Sequence, residues 1–264
     1  MIGRIQETII LKNLINNNMN VIVEGSVGVG KTTLILETLK KLKKKNIRID
    51  GDARFTEDKL VGWFDPSKIL KNGYGEKSFN AGPLVECMLE GKILFINELN
   101  RLPEGVQNLL LPAIDEGEIQ INHIGAIKAK KGFLIVGTQN PSDFVATSDL
   151  SEALKDRCEF LRLEPLSDSE MIEVINAQVS PLSKDSINFV KEFLNFSSTQ
   201  KKILNGDSLR IVIALSKVYE SLKGDLQGDQ LKTSVLSVAL KNRLLFVQDY
   251  TFENFLADFL KKKA

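Results

Sequence analysis

Histidine, cysteine and long apolar runs are scarce in this chain of 264 residues. The single histidine, His123, leaves no second imidazole for a histidine-based metal site or a histidine-dependent catalytic triad. Cys87 and Cys158 lie far apart among apolar residues and lack zinc-site spacing, which favours two small buried hydrophobic side chains over a disulfide. No run approaches the roughly 20 apolar residues of a membrane span, and the N-terminus lacks a signal-peptide core, so we expect a soluble cytoplasmic protein.

The charges of the sequence are almost balanced, with 35 basic and 34 acidic residues and a formal net charge of +1. Only one tryptophan and three tyrosines are present. A surface that binds nucleic acid is usually basic, and one that holds single strands adds aromatic side chains for stacking. The composition therefore argues against nucleic acid or a membrane as the main partner.

Short apolar runs typical of buried parallel strands alternate with helical periodicity through the first part of the chain. The predicted strands lie at 21–24, 47–50, 93–96, 133–136 and 160–163. From Ser167 onward only helical periodicity remains. This order predicts an α/β fold whose parallel sheet is sandwiched by helices, in a domain of residues 1–164, with a smaller C-terminal helical lid domain of residues 165–264.

Three segments between the predicted strands have patterns of their own. Residues 31–45 are predicted to form one helix, whereas residues 62–82 form an excursion rich in glycine and asparagine. Isoleucines alternate from Ile119 to Ile127 around a turn that contains His123, which predicts a β-hairpin with the histidine at the surface.

A glycine-rich segment after the first predicted strand matches the pattern G-x-x-x-x-G-K-[ST] without a mismatch. Its glycines allow the backbone to wrap a phosphate closely at the start of a helix. Lys31 would place its charge on the β and γ phosphates of ATP, and the Thr32 hydroxyl would ligate Mg²⁺. The predicted nucleotide-binding residues are Gly25, Ser26, Val27, Gly28, Val29, Gly30, Lys31, Thr32 and Thr33.

Polar side chains follow two further apolar strands, at the edge of the sheet that faces the phosphates in P-loop enzymes. Asn97 and Glu98 end the strand that begins at Ile93, where an Asp-Glu pair is expected. Glu98 is the candidate general base, and Asn97 takes the place of the carboxylate on the metal side. Asn140 follows the strand that begins at Phe133 and could bind the γ-phosphate or position the attacking water.

Several further motifs occur in the same order and with similar spacing as in one family. They are Arg54-Phe55-Thr56-Glu57-Asp58-Lys59-Leu60-Val61-Gly62, Gly82-Pro83-Leu84, Asn97-Glu98-Leu99-Asn100-Arg101-Leu102-Pro103, Gly137-Thr138-Gln139-Asn140-Pro141, Glu152-Ala153-Leu154-Lys155-Asp156-Arg157 and Ser208-Leu209-Arg210. On these motifs the chain from Gly3 to Arg243 resembles the MoxR family of AAA+ ATPases, in the group that includes Mg-chelatase ATPase subunits and the CbbQ, NorQ and GvpN proteins.

The resemblance implies roles that the spacing alone does not assign. It implies that Asn140 is the first sensor, Arg157 an arginine finger that acts on a neighbouring subunit, and Arg210 the second sensor on the lid; Arg101 is an alternative finger. It also implies that residues 62–82 and 118–128 are insertions that face the ring pore or the substrate.

Three residues depart from the family pattern. Asn97 replaces an aspartate, which bears on the hydrolysis rate rather than on nucleotide binding. Pro112 falls inside the helix that follows Pro103, where it removes a hydrogen bond to the Asn108 carbonyl and should kink the helix. Cys158 stands after Arg157 in place of the usual phenylalanine.

The function implied by the resemblance is that of an ATPase that uses ATP and Mg²⁺ and releases ADP. The implied assembly is a homo-oligomeric ring, with a hexamer as the expected form. The implied role is to remodel a client protein complex for maturation or metal insertion. The implied partner is a protein with a von Willebrand factor A domain. Two alternatives remain at this point. One is a nucleotide-gated scaffold with little hydrolysis, which Asn97 supports, and the other is a DNA-associated motor, which the balanced charge opposes.

Overall fold

The computed structural model describes residues 2–140, 150–179 and 182–261, so that Pro141 of the Asn140-Pro141 motif lies outside the described residues. In the described chain the strands are β1 Val21–Glu24, β2 Asn46–Asp50, β3 Gly62–Phe64, β4 Phe79–Ala81, β5 Ile93–Asn97, β6 Glu118–Ile121, β7 Gly125–Lys128, β8 Leu134–Gln139 and β9 Glu159–Arg162. The helices are α1 Ile5–Asn16, α2 Lys31–Lys41, α3 Glu57–Leu60, α4 Pro66–Asn72, α5 Pro83–Glu90, α6 Glu104–Asn108, α7 Leu110–Asp115, α8 Glu152–Lys155, α9 Asp168–Gln178, α10 Lys184–Thr199, α11 Leu209–Leu222, α12 Gly228–Leu240 and α13 Phe252–Lys261.

Five of the strands form one parallel sheet in the order β2-β5-β8-β1-β9. The three central strands are apolar runs and are almost wholly buried, because helices cover both faces of such a sheet. The two edge strands, β2 and β9, are more exposed. The predicted α/β fold with a parallel sheet between helices is confirmed, and the carboxyl ends of its strands lie at one edge of the sheet.

Two predicted helices differ from the structure: one is shorter than predicted, and the other is divided into two. The helix predicted for residues 31–45 stops at Lys41, since Lys43 adopts a positive φ of 52° and the Lys44 N–H donates back to the Leu39 carbonyl. The helix after Pro103 is divided into α6 and α7 at Leu109. Pro112 has no N–H to donate to the carbonyl four residues earlier, which accounts for the predicted interruption.

The excursion at residues 62–82 contains more order than its composition indicated. Strands β3 and β4 pair antiparallel within it, and β6 and β7 form the predicted hairpin, with His123 exposed at its turn. The Tyr74 ring stacks on the His123 ring at a centroid distance of 4.6 Å, and Phe64 meets both rings edge-on. The excursion and the β6–β7 hairpin are therefore joined by aromatic contacts.

The described chain divides into two compact units, one of residues 3–26 and 31–163 and one that joins residues 27–30 with the segment from 164 onward. In the second unit, helices α9 to α13 enclose an apolar core in which phenylalanines pack edge-on, notably Phe196 against Phe259 at 5.1 Å. A capping box formed by Ser167 and Glu170 fixes the start of α9.

Both cysteines are free, as the sequence predicted. Cys87 is buried and Cys158 is half-buried. Burial raises the pKa of each thiol to about 12, so that neither is a nucleophile near neutral pH.

Candidate nucleotide-binding site

The loop between β1 and α2 has the backbone geometry that its glycines predict. Gly25, Gly28 and Gly30 have φ values of 151°, 87° and 97°, which residues with a Cβ rarely adopt. The loop leads directly into the first turn of α2, where backbone N–H groups have no partner within the helix. A glycine-rich turn that opens a helix in this way is a binding place for phosphate.

Lys31 keeps its ammonium group on this loop. Its Nζ donates to the carbonyl oxygen of Gly25 at 2.7 Å and to that of Ser26 at 2.8 Å. A cation held against the loop backbone provides the charge that phosphate oxygens require.

Thr32, Asn97 and Thr138 form a hydrogen-bonded group at the carboxyl ends of β5 and β8. The Thr32 hydroxyl donates to Asn97 Oδ1 at 2.8 Å, and the Thr138 hydroxyl donates to the same oxygen at 3.0 Å. A hydroxyl that donates its only hydrogen keeps its lone pairs for a cation. The structure thus brings together the two residues that the sequence assigned to Mg²⁺.

A second pair of contacts joins Asn97 to the end of β2. Asn97 Nδ2 donates to Asp50 Oδ1 at 2.7 Å, and the Gly51 N–H donates to the Asn97 carbonyl at 2.7 Å. Asp50 lies directly opposite Asn97 in the β2–β5 register. Sequence reasoning missed Asp50. The signal was an aspartate at the end of a predicted strand, but its neighbour could not be known without the strand order.

Glu98 adopts a left-handed conformation, with φ 57° and ψ 52°. This conformation is uncommon for a residue with a side chain, and such residues concentrate at functional sites. Its N–H donates to the Thr138 hydroxyl at 2.8 Å, and its carboxylate pairs with the Arg101 guanidinium at 2.8 Å. Glu98 is therefore held at the edge of the sheet that also carries Asn97, and Arg101, the alternative finger, is bound to it within the same subunit.

Asn140 follows β8 and is buried. Its backbone carbonyl accepts a hydrogen bond from Asn100 Nδ2 at 3.4 Å. Beside it, Gln139 Nε2 donates to Glu24 Oε2 at 2.8 Å, which links the ends of β8 and β1. The predicted first sensor thus lies at the same end of the sheet as Asn97 and Glu98.

Arg157 is engaged elsewhere in the first unit, and Arg210 belongs to the second unit. Arg157 Nε donates to both carboxylate oxygens of Asp115 at 2.6 Å, and its NH1 group donates to the Ala153 carbonyl. Arg210 is exposed in the first turn of α11. In the second unit a Cβ built on Gly28 would lie 3.7 Å from Arg210 Cγ and 2.2 Å from Ser208 Oγ, so only glycine fits there.

Asp50 brings a carboxylate to the site in addition to Lys31 and Glu98. The Arg48 guanidinium donates to Asp50 at 2.6 Å and, with the amide of Asn97, holds the pKa of this carboxyl below its usual value. Asp50 is consequently ionised at neutral pH. Thr33, which was included in the predicted nucleotide-binding set, is exposed in the first turn of α2.

A nucleotide with Mg²⁺ fits these residues. Among the described residues no group of three or more His, Cys, Asp or Glu side chains could hold a metal ion by itself. Mg²⁺ is commonly bound by one or two protein oxygens together with waters and substrate phosphates, and Thr32 beside Asn97 suits that mode. The ion would compensate phosphate charge, while Lys31 and the loop would hold the phosphates.

The comparison with known proteins defines the class. Residues 20–158 match the AAA domain of the dynein-related subfamily, which is more than half of the chain, so the chain belongs to this family of AAA domains. Proteins of this class generally bind ATP or ADP with Mg²⁺, have ATPase activity and commonly form rings. The AAA part of the predicted family is thus confirmed, whereas its MoxR assignment stays a prediction.

The chain is similar to the uncharacterized protein SH1500 of Staphylococcus haemolyticus, with 30% identity over 193 residues that cover 70% of each chain. It is also similar to the uncharacterized protein YojN of Bacillus subtilis, with 30% identity over 188 residues, or 68% of this chain and 58% of YojN. Among solved structures, a point mutant of RuvB from Thermotoga maritima has 19% identity and a TM-score of 0.56, and the match covers 90% of this chain and 71% of that RuvB chain. At that identity the likeness concerns the fold alone.

None of the helices in the described ranges has both the length and the apolar character that a membrane crossing needs.

Proposed function

We propose that this chain is an ATP-hydrolysing protein of MoxR type that assembles into a ring of six copies and remodels a client protein complex, by maturing it or inserting metal. The observation that carries the proposal is the hydrogen-bonded group at the carboxyl ends of β5 and β8. It places Thr32 and Asn97 together beside the phosphate-binding loop, with Glu98 as the next residue.

In this proposal each residue has a chemical role. Lys31 and the loop hold the phosphates of ATP, and Thr32 with Asn97 orients the Mg²⁺ that accompanies them. Glu98 accepts the proton of the attacking water, after release from Arg101, and Asn140 positions that water. Arg157 of one copy stabilises the transferring phosphoryl group of the next copy once it leaves Asp115, and Arg210 acts as the second sensor.

The proposed client and partner rest on the resemblance of the motifs to those of MoxR proteins. A protein with a von Willebrand factor A domain is the proposed partner. Co-purification of the tagged chain with such a protein, encoded beside it, would support the pairing, and ATP-dependent dissociation would show that the contact belongs to the working cycle.

The test of the proposal is the binding of Mg²⁺ and ATP by isothermal titration. Lys31→Ala should abolish binding, because it removes the cation that compensates the β and γ phosphates. Lys40→Ala is the matched control, since it removes the same charge from an exposed position of the same helix. Unchanged affinity of Lys31→Ala, or an equal loss in both variants, would end the proposal.

A nucleotide-gated scaffold with little hydrolysis is the second candidate function. Asn97, a neutral residue where a carboxylate is expected, is the observation that favours it. Phosphate release measured on an assembled ring separates the two functions, because only the motor turns over ATP.

A further inference from the structure

Asn97 has a carboxylate as its neighbour, although it lacks one itself. Asp50 ends β2, lies opposite Asn97 in the strand register, and accepts a hydrogen bond from Asn97 Nδ2 at 2.7 Å. The Asn97 amide is thus hydrogen-bonded to a carboxylate of the adjacent strand. Asp50 has no role among those assigned to the nucleotide-binding residues above.

The contacts of Asn97 determine which way its amide faces. The nitrogen side donates to Asp50, and the oxygen side accepts from the hydroxyls of Thr32 and Thr138. In the flipped orientation the amide oxygen would face the Asp50 carboxylate, and two acceptors would meet without a hydrogen between them. Asp50 therefore selects the orientation in which the Asn97 oxygen faces Thr32.

The negative charge of Asp50 is retained in the free protein. Arg48 donates to the carboxylate at 2.6 Å, and the side chain of Asp50 is 62% exposed. An exposed ion pair of this kind contributes little stability, so it competes weakly with a divalent ion for the carboxylate charge. The carboxylate is linked to Thr32 through the Asn97 amide, which hydrogen-bonds to both residues.

We propose that Asp50 is a positioning residue for the Mg²⁺ that accompanies the nucleotide: it supplies, across one hydrogen bond, the charge that Asn97 lacks, and it holds the Asn97 oxygen toward Thr32. The inference rests on the proposed function, since it concerns the same nucleotide site. Partners that hydrogen-bond to metal-site ligands are known to set metal affinity, and their loss typically costs about 10–100-fold.

The test measures ATP binding by isothermal titration at increasing Mg²⁺, with the full chain and without turnover as the readout. Asp50→Asn should raise the Mg²⁺ concentration for half-maximal tightening of ATP binding by about tenfold, the lower end of that range, because the site is open to solvent. Asp52→Asn is the matched control, since the Asp52 carboxylate accepts from the Arg54 N–H at 2.7 Å and lies outside the Asn97 network. Thermal unfolding without Mg²⁺ should be the same for both variants.

A second background makes the test specific. In the Asn97→Asp background the same Asp50→Asn change should not raise the Mg²⁺ requirement, because residue 97 then carries its own carboxylate. A purely structural role of Asp50 would not depend on the residue at position 97. The inference is overturned if Asp50→Asn has the same Mg²⁺ dependence as Asp52→Asn, or if Asp50→Asn raises the Mg²⁺ requirement equally with Asn and with Asp at position 97. Absence of ATP binding by the wild type at every Mg²⁺ concentration would instead overturn the proposed function itself.

Discussion

Replacing Asn97 by aspartate places two carboxylates side by side. In the wild type the Asn97 nitrogen lies 2.7 Å from Asp50 Oδ1, so an oxygen at that position loses a hydrogen bond and gains a like charge. At about 3 Å two unit charges repel by about 1.4 kcal/mol in water and by about 5.5 kcal/mol at an effective dielectric constant near 20. Because the Asp50 side chain is 62% exposed, the lower part of this span applies, and Asn97→Asp should lower the free energy of unfolding by about 1–3 kcal/mol at pH 7 without Mg²⁺.

The pH dependence of this loss has a definite sign. Repulsion raises the pKa of the carboxyl pair in the folded variant above its value in the unfolded chain, about 4 for aspartate. Between these two pKa values the folded state binds more protons than the unfolded state. The stability of the variant relative to the wild type therefore falls as the pH rises through this interval, and it recovers on acidification.

In the presence of Mg²⁺ and ATP, Asn97→Asp should instead be more stable than the wild type. A unit charge pair at about 4 Å is worth roughly 4 kcal/mol at an effective dielectric constant near 20, and a divalent ion doubles the attraction. Repulsion from Asp50 and the phosphates, and desolvation of the carboxylate, offset much of it. We expect a net gain of about 1–3 kcal/mol, or roughly ten- to a hundredfold in Mg²⁺ affinity, together with faster turnover at lower Mg²⁺.

Urea unfolding at pH 7 and pH 5, each with and without Mg²⁺ and ATP, measures both effects. The charge exchange Asp50→Asn with Asn97→Asp is the control, because it leaves a single carboxylate in the pair. If Asn97→Asp alone is as stable as the wild type at pH 7 without Mg²⁺, the two side chains are not neighbours in solution and the electrostatic reasoning is refuted. If Mg²⁺ with ATP stabilises Asn97→Asp and the wild type equally, residue 97 does not contribute to the Mg²⁺ site.

Glu98→Gln should bind ATP and assemble normally but turn over on the order of 10²-fold more slowly, since a carboxamide cannot accept the proton of the water; wild-type turnover would show that another group activates the water. Arg157→Ala should bind ATP but hydrolyse it poorly, and mixing with Lys31→Ala subunits should restore some activity, because an intact loop then meets an intact finger; mixtures that never exceed the sum of their parts would contradict action between subunits. Gly51→Ala should destabilise the fold by about 1–3 kcal/mol in urea unfolding, since the added Cβ would lie 2.1 Å from the Glu98 carbonyl oxygen. Gly105→Ala, in α6 with nothing within 4 Å of the added Cβ, is its control and should be neutral or stabilising.

The sequence was sufficient for the features that local patterns determine. The apolar runs predicted the strands of the parallel sheet, and the glycine pattern predicted a loop that the positive φ values of its glycines confirm. Because the carboxyl ends of parallel strands share an edge, the meeting of Thr32 with Asn97 could be expected from the order of motifs along the chain. The interruption of the helix at Leu109, three residues before Pro112, could be expected from the chemistry of proline alone.

Features that depend on pairing between distant segments could not be predicted. The sequence places Asp50 and Asn97 far apart, and only the adjacency and register of β2 and β5 bring them together. The pairing of β3 with β4 likewise depends on how a glycine- and asparagine-rich segment folds back on itself. The ion pair of Arg157 with Asp115 joins the last residue of α7 to the segment just after α8, and no sequence pattern relates these two positions.

The stack of Tyr74 on His123 has a mechanical consequence. Each ring belongs to a different excursion from the sheet, one between β3 and β4 and the other at the turn of the β6–β7 hairpin. Phe64, which contacts both rings, anchors the stack to β3. A force applied to the tip of either excursion is therefore transmitted to the other as long as the rings remain in contact. The two excursions then move together rather than as independent loops.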